Sequence, residues 1–215
     1  MLYFKDIIYE ISEMRIDEVF STPLVYHKNE SIVGGLKNYI LDNQPQGIDS
    51  NVGSYAKHNI KESAFNFFNS NESIVQESMR WFGNCLLETV THYYKNLDIK
   101  DSLNGQYGVG FVDSWFHIGK KYSSHDVHNH GNCSWCGIFY VDSGEVDKGG
   151  ETIFRNPINT TFTDCGNNYV FTSIRVIPEN GKLVLFPSYL DHYQSLYTGD
   201  KDRIVIGFNM TLNPG

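Results

Sequence analysis

Five of the chain's eight histidines fall between His117 and His192. The most informative pair is His128 and His130, separated by Asn129. In extended backbone, residues two apart project to the same face, so both imidazoles can address one metal ion. A third donor from a later strand would complete a facial set with open coordination positions, which is what non-haem iron needs to take up substrate and oxygen. His192 is the candidate, because it follows Phe186-Pro187-Ser188-Tyr189-Leu190-Asp191 between two strand-like segments. A His-x-His pair also arises by chance on solvated surfaces, so its meaning depends on what surrounds it. His117 and His125 are read as ligand-supporting or surface residues. His27, His58 and His92 carry no assignment.

Arg203 begins the strongest strand-like run, Arg203-Ile204-Val205-Ile206-Gly207-Phe208-Asn209-Met210-Thr211. Alternation puts Ile204, Ile206, Phe208 and Met210 on one face and Arg203, Val205, Gly207, Asn209 and Thr211 on the other. An arginine sharing a face with glycine and asparagine suits a barrel lumen that admits a polar ligand. The guanidinium fork makes two parallel hydrogen bonds to a carboxylate, so an anionic ligand is its natural partner. The competing reading is a surface ion pair with Asp200 or Asp202. The Cys133-Ser134-Trp135-Cys136 motif is half of a structural zinc site, and Cys85 and Cys165 supply no second pair. The βαβ setting of a thioredoxin-like dithiol is also missing. These cysteines are therefore read as small side chains at the start of a strand.

Elements to position these residues are legible. Val75, Met79, Phe82, Leu86, Val90, Tyr93 and Leu97 make one continuous apolar stripe, which predicts a long helix over about 72–97 that packs on a sheet. Ser70 or Asn71 can cap its start. A second helix is expected over Ser31–Asp42, weakened by Gly34 and Gly35. Phe20–Tyr26 reads as an edge strand broken by Pro23, and 43–60 as a polar loop. Strands are expected at Tyr107–His117, Trp135–Val141, Asn168–Val176, Lys182–Phe186, His192–Tyr197 and Arg203–Thr211, separated by Gly-containing turns. That pattern indicates an antiparallel sandwich or barrel, mainly β with flanking helices. Residues 1–17 are expected to form an arm or short helix, and 18–215 a single domain.

Composition narrows the function classes. The chain has 215 residues, 40% hydrophobic and 20% charged, and a net charge of -8. That is ordinary globular composition, and the acidic balance disfavours bulk electrostatic binding to nucleic acid. No apolar run reaches the ~18 residues of a membrane span. The first residues lack the charged-then-apolar order of a secretory signal. With few cysteines in a chain this long, the simplest expectation is a reduced, cytoplasmic protein (the host cytoplasm if viral). It would act on a small-molecule or peptide substrate, either alone or as a homo-oligomer.

From about Phe20 to Asn209 the sequence resembles the 2-oxoglutarate/Fe(II)-dependent oxygenase superfamily, and within it the oxygenases found in marine bacteria and their phages. Four stretches carry the resemblance: Ser114-Trp115-Phe116-His117; His128-Asn129-His130 followed by Trp135–Val141; Gly149-Gly150-Glu151-Thr152-Ile153-Phe154-Arg155-Asn156-Pro157; and Gly181–His192 with Arg203 and Phe208-Asn209. The resemblance implies a double-stranded β-helix (jelly roll) with Fe(II) and 2-oxoglutarate as cofactors. It implies that His128 and His192 are iron ligands, that Arg203 grips the far carboxylate of 2-oxoglutarate, and that Asn209 and Tyr140 line or contact the cosubstrate pocket. The chemistry implied is hydroxylation of a C–H bond with conversion of 2-oxoglutarate to succinate. The Gly-Gly-Glu-Thr segment leans toward a peptidyl or prolyl substrate.

One departure stands out. The carboxylate usual two residues after the first histidine is here His130, and Asp126 is out of register for that role. Either His130 ligates, giving three neutral ligands, or it hydrogen-bonds a water. Two rival readings follow: a non-catalytic jelly roll that binds or supports, and a cupin-type three-histidine metalloenzyme that does not use 2-oxoglutarate.

Overall fold

The computed structural model describes residues 21–45, 57–96, 107–158, 163–164, 167–168 and 172–214. The arm expected at 1–17, together with Phe20, Leu97 and Cys165, lies outside them.

The elements in chain order are β1 (Val25–Lys28), α1 (Val33–Asp42), β2 (Lys57–Glu62), α2 (Ser73–Asn96), β3 (Tyr107–His128), β4 (Trp135–Asp142) and β5 (Thr152–Arg155). They continue with β6 (Thr163–Asp164), β7 (Asn167–Asn168), β8 (Ser173–Val176), β9 (Lys182–Pro187), β10 (His192–Tyr197) and β11 (Arg203–Pro214). One curled antiparallel sheet runs β1-β9-β4-β11-β3-β10-β5-β8, with β2 added along β3, and β6 and β7 form a separate small hairpin. This is the double-stranded β-helix expected from the sequence.

Strand β3 makes the curl. Its first part pairs with β11 from Tyr107 to Gly119, and its last part pairs with β10 from Ser123 to His128. Between the two partners Tyr122 adopts φ 64°, a left-handed conformation that costs a non-glycine residue energy and marks a local change in strand direction. The chain is thereby passed from one side of the roll to the other, and its end delivers His128.

The alternation of β4, β9 and β11 builds two cores. Phe139, Val141, Leu183, Leu185, Ile204, Ile206, Phe208 and Met210 face outward against the helices. Cys136, Tyr140, Val184, Phe186 and Val205 face inward with Phe154, Val176 and Leu190. The stripe on α2 meets the outward face as expected: Val75, Phe82, Leu86 and Val90 are buried, and Met79 packs beside them. Phe82 stacks on Phe208 at 4.7 Å between ring centroids and touches Phe139 at 5.1 Å. The Ser70 hydroxyl accepts from the Glu72 N–H just ahead of the helix, a local turn rather than the expected cap, since Glu72 itself holds the cap position and its carbonyl accepts from Val75 and Gln76. Gly35 has a packing reason to be small, since a Cβ there would lie 2.8 Å from the Ile74 side chain.

Four expectations need correction. Residues 57–60 are not loop but the start of β2, a polar strand whose hydrogen bonds are supplied by β3. The edge strand begins after Pro23, at Val25, rather than spanning it. β3 continues past His117 to His128, and the strand expected at 168–176 is described only at Ser173–Val176. β5 was not anticipated as a strand at all.

Replacing Phe82 with alanine removes the ring that locks α2 to β4 and β11. A loss of about 3–5 kcal/mol is expected, read as a lower urea midpoint with an unchanged slope.

Candidate active site

His128 and His192 are direct cross-strand partners between β3 and β10, so one register places both at the same mouth of the roll. His130 follows in the loop after β3, and its backbone N–H donates to the Ser188 carbonyl at 3.0 Å. Asn129 Nδ2 donates to Asp191 Oδ1 at 2.8 Å, tying the two ligand-bearing loops together. One ring nitrogen from each of His128, His130 and His192 lies within 4.8 Å of the others. The convergence expected from sequence is therefore present, including His130.

Ring orientation is set locally. His128 Nδ1 lies 2.8 Å from the Asp126 carbonyl, and His192 Nδ1 lies 3.0 Å from the Leu190 carbonyl. A carbonyl only accepts, so each Nδ1 carries the proton and each Nε2 carries the lone pair a metal uses. Burial and the neighbouring His128 pull His192 down to about 3 and His130 down to about 4. Burial also lowers His128. Neutral imidazole is the ligating form, so the pocket itself favours the ligand state.

Arg203 lies in the same pocket and is 2% exposed. Its Nη1 donates to Gln194 Oε1 at 2.6 Å, its Nε has no partner, and its guanidinium carbon sits 5.7 Å from the centroid of the Tyr140 ring. Asp200 pairs with Lys121 and Asp202 with Lys120, which removes the surface ion pair as an account of Arg203. Among the described residues no carboxylate pairs with it. A buried cation held by one neutral acceptor is unfavourable unless an anion joins it.

Asn209 also lines the pocket, accepting from Cys136 Sγ and donating to Asp113 Oδ2, both at 3.4 Å. The Tyr140 hydroxyl meets Thr152 Oγ1 at 2.7 Å. It reaches the pocket through Thr152, which lines it. Gly207 lets the Trp115 ring fold against β11, since a Cβ there would lie 2.7 Å from it. Trp115 then stacks on His130 at 5.9 Å and 20°.

Behind His128 stand His125 and His117, two candidates for supporting residues, and sequence reasoning missed the Lys57 and Glu62 that complete this wall. His125 stacks on His128 at 4.0 Å, and His117 lies 5.7 Å from His125. His117 Nε2 bonds Glu62 Oε1 at 2.7 Å, and Lys57 pairs with the same carboxylate. Burial lowers His117 against the pull of Glu62, so a neutral imidazole donates to the carboxylate and Lys57 carries the counter-charge. Burial pushes Glu62 up, but its bonds to His117 and Lys57 leave it below the ordinary value. The signal was the polar stretch Lys57-His58-Asn59-Ile60-Lys61-Glu62, which has too little apolar character to register as a strand.

The arrangement is a three-histidine set and a buried arginine lining one pocket of a jelly roll. Residues 113–209, which hold every one of these groups, match the family described as "Putative 2OG-Fe(II) oxygenase". A search of curated protein sequences gave no match. Similar folds include a viral collagen prolyl hydroxylase from Paramecium Bursaria Chlorella virus-1, solved with 2-oxoglutarate (13% identity, TM-score 0.50, covering 87% of this chain and 94% of that one). HygX from Streptomyces hygroscopicus, solved with nickel, 2-oxoglutarate and hygromycin B, is 12% identical with a TM-score of 0.55 over 88% of this chain and 82% of that one. A prolyl hydroxylase from Trichoplax adhaerens, solved with a hypoxia inducible factor peptide, is 15% identical with a TM-score of 0.53 over 87% and 82%. Identities this low speak for the fold. Over residues 113–209 the chain is thus similar to 2-oxoglutarate-dependent Fe(II) oxygenases, and the donor set of the pocket fits iron and 2-oxoglutarate as cofactors.

Glu62→Gln leaves Lys57 buried without its counter-charge. It should cost about 3–5 kcal/mol of stability in denaturant titration. His192→Ala should abolish Co(II) binding followed by visible absorption, and His125→Ala should leave it within a few-fold of the unaltered protein.

Proposed function

We propose that the protein is an Fe(II)- and 2-oxoglutarate-dependent hydroxylase in which His128, His130 and His192 hold the metal and Arg203 anchors the cosubstrate. The observation that carries this reading is Arg203: a buried guanidinium with an unpartnered Nε, in the pocket that also holds the three-histidine cluster. A dicarboxylate that spans from metal to arginine answers both needs. Bound iron and 2-oxoglutarate supply the chemistry of C–H hydroxylation with decarboxylation to succinate.

The chain's own groups have separable tasks. The Asp126 and Leu190 carbonyls aim two imidazoles. Gln194 holds the Arg203 fork in place, and Thr152 with Tyr140 behind it offers a hydroxyl pair along the wall. Phe154, Phe186 and Val205 keep water from the inner end. With three neutral ligands the metal site carries one more positive charge than a His-carboxylate-His site would, which strengthens its hold on an anionic cosubstrate. The favoured substrate class is peptidyl, with proline the favoured residue. Its supports are the Gly149-Gly150-Glu151-Thr152 segment and the prolyl hydroxylases among the similar folds.

The test is anaerobic titration of the apoprotein with Fe(II) and then 2-oxoglutarate, following the weak visible charge-transfer band. The band should appear only with both present. Arg203→Ala should bind Fe(II) unchanged and lose the band at 2-oxoglutarate concentrations that saturate the unaltered protein. A band that survives Arg203→Ala removes the anchor role. Iron binding that never yields a band indicates a cupin-like site, and no iron binding indicates a scaffold.

A further inference from the structure

The C-x-x-C motif is not absorbed by the oxygenase reading, and its geometry in the folded chain differs from that of small packing residues. Cys133 Sγ and Cys136 Sγ lie 3.7 Å apart, in hydrogen-bonding contact, and both are free thiols. Cys136 is 2% exposed, lines the metal pocket, and bonds Asn209 Oδ1 at 3.4 Å. Cys133 is partly exposed and sits in the loop that begins with His130. That loop is pinned on every side: His130 N–H to the Ser188 carbonyl, Ser134 N–H to the Met210 carbonyl, Ser188 N–H to the Ser134 carbonyl, and Ser188 Oγ to the Cys133 carbonyl. The accessible thiol and the buried one are thus held facing each other beside a metal ligand.

We infer that Cys133 and Cys136 form a reversible disulfide under hydrogen peroxide, and that closing it weakens metal binding through the His130 loop. The weakening rests on the three-histidine reading above. Bond formation does not.

The chemistry balances with peroxide as the named oxidant. The Cys133 sulfur attacks one peroxide oxygen, the O–O bond breaks, and one water leaves as Cys133 becomes a sulfenic acid. The Cys136 sulfur then attacks the Cys133 sulfur, the S–O bond breaks, and the departing hydroxide takes the Cys136 proton as a second water. The two sulfurs together lose two electrons and the peroxide gains them. The order of attack follows from the site. Cys133 is partly exposed while Cys136 is 2% exposed, so peroxide reaches the Cys133 sulfur and Cys133 is the nucleophile.

The structural consequence follows from distance. A disulfide requires about 2.05 Å between sulfurs, so the pair must close by well over an ångström from 3.7 Å. The S–H donor to Asn209 is lost in the same step. Ser188 donates to the Cys133 carbonyl and accepts from the His130 N–H, so a shift of Cys133 is passed through Ser188 to the His130 end of the loop.

The test begins with metal-free full-length protein and hydrogen peroxide, followed by alkylation of remaining thiols in denaturant and peptide mass analysis. The expected result is joint loss of Cys133 and Cys136 alkylation, a peptide lighter by two hydrogens, reversal by dithiothreitol, and an unchanged Cys85. Cys136→Ser should stop the reaction at a Cys133 sulfenic acid that dimedone labels. Persistence of both thiols, or over-oxidation of Cys133 with Cys136 still alkylated, overturns the disulfide. Fe(II) titration of the oxidised protein should then show roughly tenfold weaker binding, of the order that disturbing a ligand's support costs. Dithiothreitol should restore it, and Cys133→Ser/Cys136→Ser protein should show no such response. An affinity equal in both redox states overturns the coupling. If reduced protein fails to bind Fe(II) at all, the metal reading fails while the disulfide result stands.

Discussion

The alternation of side chains along β11 is the constraint on which both halves of this molecule rest. Ile204, Ile206, Phe208 and Met210 point to the helices and are all but inaccessible to water, while Arg203, Val205, Gly207 and Asn209 point into the roll. A one-residue slip would move the arginine into the helix interface and the phenylalanine into the pocket. The register is pinned on both sides, by twelve pairings to β3 with one irregularity between Asn209 and Met210, and by β4. The same pairing that secures the hydrophobic core therefore fixes the depth of the guanidinium below the histidines.

The histidine cluster obeys a second pairing, His128 opposite His192, made by the far end of β3. One long strand thus serves two partners: β11 sets the buried guanidinium and β10 sets the histidine cluster. The turn at Tyr122 between them determines the relation of the two. The cluster consists of histidines alone and carries no carboxylate charge. The three donors are neutral and largely buried, and their burial lowers the proton affinity that would otherwise compete with a metal ion.

Much of this was legible because it is local. The β11 pattern, the α2 stripe and the His-x-His spacing are short-range periodicities, and each survives in the structure. The convergence of His192 with the pair was an inference from strand order, and antiparallel pairing supplied it. What the sequence hid is long-range. β2 contributes Lys57 and Glu62 to a pair with His117, 55 residues further on from Glu62, and nothing in its polar composition marks it as a strand. β5 is brief, only Thr152–Arg155, and is held by two partners rather than by its own propensity. His125 could be placed against His128 only once the end of β3 was known to stay in the sheet. The reading of Arg203 was ambiguous in the sequence because Asp200 and Asp202 are its near neighbours. The lysines at 120 and 121, across the β3–β11 pairing, resolve it.

The two carbonyl contacts that aim His128 and His192 come from residues two positions earlier in their own segments. Their torsional freedom is therefore given up when the chain folds, at a cost of about 1 kcal/mol for each ordered side chain, and not when an ion arrives. Small zinc domains behave in the opposite way: their ligands order only on binding and the apoprotein is unfolded. On the proposed reading, an ion would meet two imidazoles already aimed on a folded chain. Its contribution to global stability then follows mass action alone, and exchange of one divalent ion for another can proceed on a chain that stays folded throughout.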